Sequence, residues 1–134
     1  MSDRSLRILV VDDHPYMRRA LRSLLETRRD WVVCGEAADG REAVEISEKL
    51  CPDVVIMDMS MPELNGLQAT RLIRQFCPSS QVVILTWHHL PDLPRLAREA
   101  GAQGLVLKSH SSELLIAAVE SVSQSTPFFD SGPS

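Results

Sequence analysis

Long apolar runs and an excess of basic residues are both missing from the sequence. A transmembrane helix needs about 18 or more consecutive apolar residues, and no such stretch occurs in the 134 residues. The amino terminus also lacks the apolar segment of a signal peptide. We therefore expect a soluble, cytoplasmic protein without a membrane partner. The formal net charge of -4 argues against direct binding of this chain to nucleic acid.

Cysteine is scarce, and its spacing points to no metal centre. Cys34, Cys51 and Cys77 are widely separated and form no Cys-x-x-Cys pattern. The sequence therefore predicts neither a zinc site nor a disulfide framework, and it favours idle thiols in a reducing compartment.

Five short apolar runs are spaced along the chain, and each is followed by a segment with helical periodicity. Apolar runs of this length that contain β-branched residues and end at turn signals are typical of strands buried on both faces of a parallel sheet. The predicted strands are residues 6–11, 31–38, 54–58, 81–85 and 105–107.

The boundaries of the helical segments are marked by residues with known positional preferences. Pro15 suits the first turn of the first helix. Asp39 supplies a turn or cap before the second helix, and Ser111 or Ser112 is predicted to cap the last helix.

The alternation of strands and helices predicts an α/β fold with helices on both faces of a parallel sheet. Hydrophobic residues make up 44% of the chain, which is enough for a single core. We predict a flavodoxin-like, doubly wound sheet of five strands in the order 2-1-3-4-5 with five helices, because five strands complete that order.

Carboxylates follow the first and third predicted strands, which are neighbours in this order. Asp12 and Asp13 come directly after the first strand, and Asp58 closes the third. Three carboxylates at one edge of a sheet repel one another unless a cation neutralises them. A hard divalent ion such as Mg²⁺, or Mn²⁺ in its place, takes oxygen ligands of this kind. The sequence therefore predicts a metal site at this edge.

Two further polar side chains end the fourth and fifth strands on the same edge. Thr86 offers a hydroxyl donor, and Lys108 offers a positive charge. A phosphoryl group, whose oxygens carry its negative charge, is stabilised by such groups. We predict that Asp58 is a nucleophile that attacks phosphorus and forms an acyl phosphate.

These residues give the sequence a resemblance, over nearly its whole length, to the receiver domains of two-component response regulators. The matching features are the Asp12-Asp13 pair, the arrangement from Asp58 to Pro62 with Gly66, Thr86, the segment Gly101-Ala102-Gln103-Gly104, and Lys108. The Asp-Asp-His-Pro sequence at residues 12–15, the segment 36–40 and the absence of proline after Lys108-Ser109 are similar to the NarL/FixJ (LuxR-type) subfamily.

The resemblance implies transfer of a phosphoryl group from a cognate sensor histidine kinase to Asp58. It implies that Asp13, Asp58 and the main-chain carbonyl of Ser60 hold Mg²⁺, and that Asp12 acts mainly through water. It further implies that Lys108 pairs with the phosphoryl group and that Thr86 moves toward it. Such a protein is not an enzyme beyond its own phosphorylation and dephosphorylation, and it regulates transcription through a helix-turn-helix DNA-binding domain absent from this chain. A homodimer is compatible with this reading.

Two positions depart from the pattern of the family. Leu105 stands where the family usually has the Tyr or Phe that swings inward when the threonine moves. Trp87 occupies the loop after the fourth strand, followed by His88 and His89. Trp87 either covers the core or supplies an alternative aromatic lever, so we assign the switch to Thr86, Leu105 and Trp87.

The domain organisation predicted from the sequence is a receiver domain at residues 1–122 and a carboxy-terminal tail at 123–134. The tail is rich in Ser and Pro and resembles the start of the linker to an output domain. Phe128 and Phe129 are expected either to pack back on the receiver or to belong to a further interface.

Three alternatives to a phosphorylation switch are open at this point. A nucleotide or flavin binder of the same fold needs a phosphate cradle after the first strand, where Asp12 and Asp13 would repel a phosphate. A pseudo-receiver would bind partners in one fixed state that uses Leu105 and Trp87, and the presence of all the acidic residues argues against it. An aspartyl-phosphate hydrolase would need a second general acid where Ser60 stands.

Overall fold

The chain folds as a six-stranded parallel sheet between two layers of helices. The structure is a computed structural model, and it describes residues 5–59, 65–88 and 90–130. The strands are β1 (Leu6–Val11), β2 (Trp31–Ala37), β3 (Val54–Asp58), β4 (Gln81–Thr86), β5 (Gly104–Leu107) and β6 (Phe128–Phe129). The helices are α1 (Pro15–Leu25), α2 (Gly40–Leu50), α3 (Gly66–Phe76), α4 (Leu93–Ala100) and α5 (Ser111–Ser123), and a 3₁₀ turn at Lys108–His110 precedes α5.

The order of the strands in the sheet is β2-β1-β3-β4-β5-β6, with every neighbouring pair parallel. The predicted flavodoxin-like α/β fold and the order of its first five strands are confirmed. The sixth strand, at the edge beside β5, was not predicted. No helix within the described ranges is long and apolar enough to cross a membrane.

Alternate side chains of each central strand enter two separate cores. Ile8 and Val10 of β1 pack with α1 and α5 on one face, while Leu9 and Val11 pack with α2, α3 and α4 on the other. All five residues of β3 are buried, as a strand covered on both faces requires. The two helical layers therefore hold the strands in fixed register and leave their ends to carry polar groups.

Of two predicted helix caps, one is confirmed and the other is wrong. The Asp39 carboxylate accepts a hydrogen bond of 2.8 Å from the amide of Glu42, so the predicted cap of α2 is confirmed. The predicted serine cap of α5 is wrong, because the helix begins at Ser111 and its N-cap is His110, which makes no side-chain cap. The 3₁₀ turn leads directly into α5, and the Ser111 hydroxyl donates back to the Lys108 carbonyl at 2.8 Å.

The sixth strand is formed by the predicted tail. The amide of Phe128 donates to the Gln103 carbonyl at 3.0 Å, and the amide of Asp130 donates to the Leu105 carbonyl at 2.8 Å. A Cβ atom on Gly104 would lie 3.2 Å from the Phe128 carbonyl oxygen, so a glycine there permits the close approach of the two strands. Phe128 and Phe129 are half-buried, one against each core. The two aromatic residues therefore pack back on the domain.

A capping box at the start of α3 fixes the helix that follows the Asp58 loop. The Asn65 side chain accepts a 2.9 Å hydrogen bond from the amide of Gln68, whose side chain accepts one of 3.2 Å from the amide of Asn65.

We expect Asn65→Ala to lower the free energy of unfolding by about 1 kcal/mol, because the helix loses an acceptor for its first amides. Urea unfolding followed by circular dichroism measures this loss. The control Asn65→Asp retains an acceptor and should be close to wild type, and equal losses in both variants would contradict the assignment.

Candidate functional site

Three buried charged side chains meet where β1, β3 and β5 end. Asp12 follows β1, Asp58 is the last residue of β3, and Lys108 follows β5. Their relative exposures are 0%, 3% and 4%, respectively. Charged groups are buried to this degree only when they are paired. The predicted convergence of these strand ends is therefore present in the structure.

Lys108 lies between the two carboxylates. Its Nζ atom is 2.7 Å from Asp12 Oδ2 and 3.1 Å from Asp58 Oδ1. Burial of the ammonium group would by itself lower the pKa of Lys108. The hydrogen bond to Asp12 and the negative charge of Asp58 outweigh that effect and raise the pKa above its ordinary value. Lys108 is therefore a fixed positive charge against the oxygen atoms of Asp58.

Asp13 and His14 complete the acidic cluster on its outer side. His14 Nδ1 lies 3.2 Å from Asp12 Oδ1 and 3.0 Å from Asp13 Oδ1. The second contact lacks hydrogen-bond geometry, so Asp13 Oδ1 is buried without a hydrogen-bond partner among the described residues. One ligand atom from each of Asp12, Asp13 and His14 falls within 4.8 Å of the others. Oxygen-rich donors with an unsatisfied carboxylate atom are suited to a hard cation.

The chain must return very close to Asp58 at the start of α3, and Gly66 permits this. A Cβ atom on Gly66 would lie 2.4 Å from the Asp58 carbonyl oxygen and 2.9 Å from Met59 Cα. Both atoms belong to the backbone, so any side chain at this position would push the start of α3 away from Asp58. The glycine therefore keeps the end of β3 and the start of α3 in contact.

Thr86 and Trp87 form the side of the site that follows β4. The Thr86 hydroxyl group is buried and engaged within its own loop, where it donates to the His88 carbonyl at 3.3 Å and accepts from the His88 amide at 3.2 Å. Trp87 is 58% exposed, and its ring centroid is 5.5 Å from Lys108 Nζ. Trp87 thus shields the Lys108 ammonium group on its solvent side. A cation over an indole ring is attracted to the ring.

Leu105 is the third predicted switch residue. Among the described residues, its side chain makes no contact with the acidic cluster. It is 4% exposed and belongs to the core on the side of α2, α3 and α4. In the sheet it lies opposite Phe129 of β6. The Phe129 ring is capped by the Arg98 guanidinium group at 4.1 Å. An aromatic residue therefore packs in the same core as Leu105, but it is supplied by the tail.

Ser60, the predicted main-chain metal ligand, lies outside the described residues, as does His89 in the loop after Trp87. The assignment missed three residues that hold the site. His14 reaches both acids, and the Arg18 guanidinium group donates to the Asp12 carbonyl at 2.6 Å and thereby holds the backbone of the cluster. Asp130 Oδ2 accepts from the Leu107 amide at 3.1 Å and pairs with His110 Nδ1 at 2.7 Å, next to Lys108 in the chain. His14 directly follows Asp12-Asp13 in the chain, and that adjacency was the signal that could have found its contacts.

Comparisons with known proteins agree on one family. The model of the response regulator receiver domain matches residues 8–120. The response regulator UvrY of Escherichia coli K12 is 38% identical over 117 residues, which are 87% of this chain and 54% of UvrY. The chain spans about half the length of the curated relatives it matches.

Solved structures of response regulators have the same fold. A two-component response regulator of the LuxR family from Aurantimonas sp. SI85-9A1 superposes with a TM-score of 0.89 at 38% identity, covering 92% of this chain and 89% of that chain. The isolated REC domain of RcsB from Salmonella enterica serovar Typhimurium, in the presence of the phosphomimetic BeF3-, gives a TM-score of 0.85 at 26% identity, with 94% of each chain covered.

Proposed function

Because this chain belongs to the response regulator receiver domain family, we propose that it is a phosphorylation switch whose phosphoacceptor is Asp58. The observation that carries the proposal is the pairing of the buried Asp58 carboxylate with Lys108 beside two further acids. A carboxylate that is ionised, buried and positioned by a cation is available as a nucleophile. The phosphoryl donor is a sensor histidine kinase, as expected from the family.

The transfer requires one bond to form and one to break. An Asp58 oxygen attacks the phosphorus of a phosphohistidine, the phosphorus–nitrogen bond breaks, and the electron pair returns to the imidazole of the kinase. Lys108 starts 3.1 Å from Asp58 Oδ1, and it exchanges that contact for one with the phosphoryl oxygens. Its charge therefore stabilises first the nucleophile and then the product.

The donor atoms present fit a divalent cation such as Mg²⁺. Asp12 and Asp13 supply carboxylate oxygens, Asp13 Oδ1 is buried without a hydrogen-bond partner in the described part of the chain, and Asp58 lies across Lys108 from Asp12. We assign the metal ligands to Asp13 and Asp58, with Asp12 acting through water. When bound, the ion neutralises charge on the phosphoryl oxygens. The main-chain carbonyl of Ser60 stays a predicted ligand on sequence grounds.

The change at Asp58 is passed on through Thr86, Trp87 and the strand that carries Leu105. For the Thr86 hydroxyl to donate to a phosphoryl group it must give up its hydrogen bond to the His88 carbonyl. That exchange would move the loop bearing Trp87, whose ring lies over Lys108. The relatives include proteins named as transcriptional regulatory proteins. We therefore assign the output to transcription, through a DNA-binding domain outside this chain, with residues 123–134 leading toward it.

Treatment with acetyl phosphate and Mg²⁺ tests the proposal. We expect intact-protein mass spectrometry to detect one added phosphoryl group, which hydroxylamine removes because an acyl phosphate is labile to it. Asp58→Asn should accept no phosphoryl group, since an amide is a poor nucleophile. Asp92→Asn is the matched control, because the Asp92 side chain is 78% exposed and stands before α4, and does not belong to the buried cluster of Asp12, Asp58 and Lys108.

The control should be phosphorylated like wild type. Absence of an acyl phosphate on the wild-type protein over a range of times and Mg²⁺ concentrations would refute the proposal. Equal phosphorylation of Asp58→Asn would refute the assignment of the phosphoacceptor.

A further inference from the structure

Two of the three cysteines lie side by side at the opposite ends of the helices from the acidic cluster. Cys51 is the C-cap of α2, Cys77 is the C-cap of α3, and their Sγ atoms are 3.3 Å apart although the residues are separated by 26 positions. Cys51 is exposed and Cys77 is buried. Cys51 is therefore the residue of the pair that a reagent in solution reaches first, and the buried Cys77 is in contact with it.

We propose that Cys51 and Cys77 form a reversible dithiol–disulfide site that is oxidised by a peroxide. A disulfide bond is about 2.05 Å long, so the sulfurs must approach by only about 1.3 Å from their present separation. The site is separate from Asp58 and from the phosphorylation switch, because Cys51 precedes β3 and Asp58 closes its other end.

The backbone around Cys51 is held in an unusual conformation. Its φ of 43° and ψ of 66° lie in the left-handed region, which disfavours residues with a Cβ atom, and Pro52 follows directly. The amide of Cys51 donates to the Ser47 carbonyl at 2.8 Å and fixes this conformation. The same carbonyl accepts a hydrogen bond of 3.2 Å from the Cys77 thiol. One carbonyl group at the end of α2 therefore positions both cysteines.

The two thiols have different roles in the oxidation. Burial, and then the hydrogen bond with Cys51, raise the pKa of Cys77 to about 11, so Cys77 keeps its proton at neutral pH. The sulfur of the exposed Cys51 attacks the peroxide and gives up its proton in doing so. Its sulfur becomes a sulfenic acid as the oxygen–oxygen bond breaks and hydroxide leaves. The Cys77 sulfur then attacks Cys51, its proton joins the departing hydroxyl group as water, and the sulfur–sulfur bond forms.

The balance of the reaction is one peroxide for two thiols. Both oxygen atoms of hydrogen peroxide leave as water, and the two sulfur atoms give up one electron each. A dithiol such as dithiothreitol returns the site to the reduced state by exchange. The bond closes a loop that contains β3 and α3, so it restricts the unfolded chain.

The experiment exposes the folded 134-residue chain to hydrogen peroxide and then unfolds it and alkylates the remaining thiols before mass analysis. We expect one alkylated thiol after oxidation instead of three, with the mass of the chain otherwise lower by two hydrogen atoms. Peptide mapping should join Cys51 to Cys77 and find Cys34 alkylated. The oxidised protein should unfold at a temperature roughly 5–10 °C higher, and dithiothreitol should reverse the shift.

Matched variants separate the site from general oxidation. Cys34→Ser should form the bond like wild type, and Asp58→Asn should do so as well, because neither residue belongs to the pair. Cys51→Ser should form no bond and should leave Cys77 as a thiol, because its sulfur is buried. This variant replaces an exposed residue and is expected to fold. Wild-type protein that keeps three alkylatable thiols in excess peroxide, links Cys34, or forms disulfides only between molecules would overturn the proposal.

Discussion

Replacing Lys108 with methionine is expected to lower the free energy of unfolding by about 3–5 kcal/mol at neutral pH without metal. The substitution leaves Asp12 and Asp58 buried, with exposures of 0% and 3%, and without the cation that lies 2.7 Å and 3.1 Å from them. Removing one partner of a buried ion pair is costly, because the remaining charges have lost both water and their counterion. Urea unfolding of the two proteins measures the difference.

Two further measurements distinguish lost charge from lost packing in Lys108→Met. Adding Asp58→Asn to the same chain should recover part of the loss, because one of the uncompensated carboxylates is then neutral. Millimolar Mg²⁺ should stabilise Lys108→Met more than wild type, since in wild type Lys108 already balances these acids. The control is Lys49→Met, which removes the other lysine of the sequence from the exposed side of α2. A loss that neither Mg²⁺ nor Asp58→Asn reduces would contradict the electrostatic explanation.

The raised pKa of Lys108 also has a consequence at alkaline pH. A group whose pKa is higher in the folded state contributes stability below its unfolded value, and this contribution is lost as the pH rises through the folded value. For Lys108 the loss therefore begins above 10.5. Ionisation of Cys77 adds a further loss of stability between pH 9.0 and about pH 11, in both wild type and Lys108→Met. The stability gap between wild type and Lys108→Met should consequently narrow above pH 10.5.

A chain that ends at Thr126 is expected to be less stable than the 134-residue chain by about 2 kcal/mol. The truncation removes two half-buried phenylalanines and the hydrogen bonds from Phe128 and Asp130 to the edge of β5. It also removes the contact of Arg98 with the Phe129 ring at 4.1 Å. The free energy gained from apolar burial and from these hydrogen bonds is larger than the expected loss of stability. The conformational entropy that is lost when the strand is ordered offsets part of this gain.

The control for this truncation is a chain that ends at Asp130 and therefore keeps β6. We expect its urea midpoint to match that of the 134-residue chain. In the chain that ends at Thr126, hydrogen exchange at the Leu107 amide should accelerate, because that amide donates to Asp130 Oδ2. Equal stability of the two truncated chains would show that β6 contributes nothing to the fold.

The acidic cluster could be predicted from sequence because it depends on topology alone. A buried strand that ends in a carboxylate must place that group at the edge of the sheet, and the order of parallel strands then brings Asp58 to Asp12 and Asp13. The contact of Lys108 Nζ with both Asp12 and Asp58, at 2.7 Å and 3.1 Å, could not be predicted, because no spacing in the sequence encodes it.

Two features escaped prediction for different physical reasons. The strand Phe128–Phe129 has only two residues, too few to show a period of two, and it lies in a segment rich in serine and proline. The pairing of Cys51 with Cys77 arises where α2 packs on α3, so a separation of 26 residues gives no sign of it. The sequence indicated idle thiols because spacing reports on local motifs and not on the packing of helices.

The attachment of β6 to the edge of β5 also sets the reach of anything that follows it in the chain. With Phe128 and Phe129 in the sheet, the end of β6 is held beside β5. The last residue of β5 directly precedes the 3₁₀ turn that begins at Lys108. Releasing residues 124–130 would add about seven residues of extended chain, or roughly 23 Å at about 3.3 Å per residue. The short strand would therefore fix the tether length of any domain joined to this end of the chain, and with it the local concentration of that domain at the receiver.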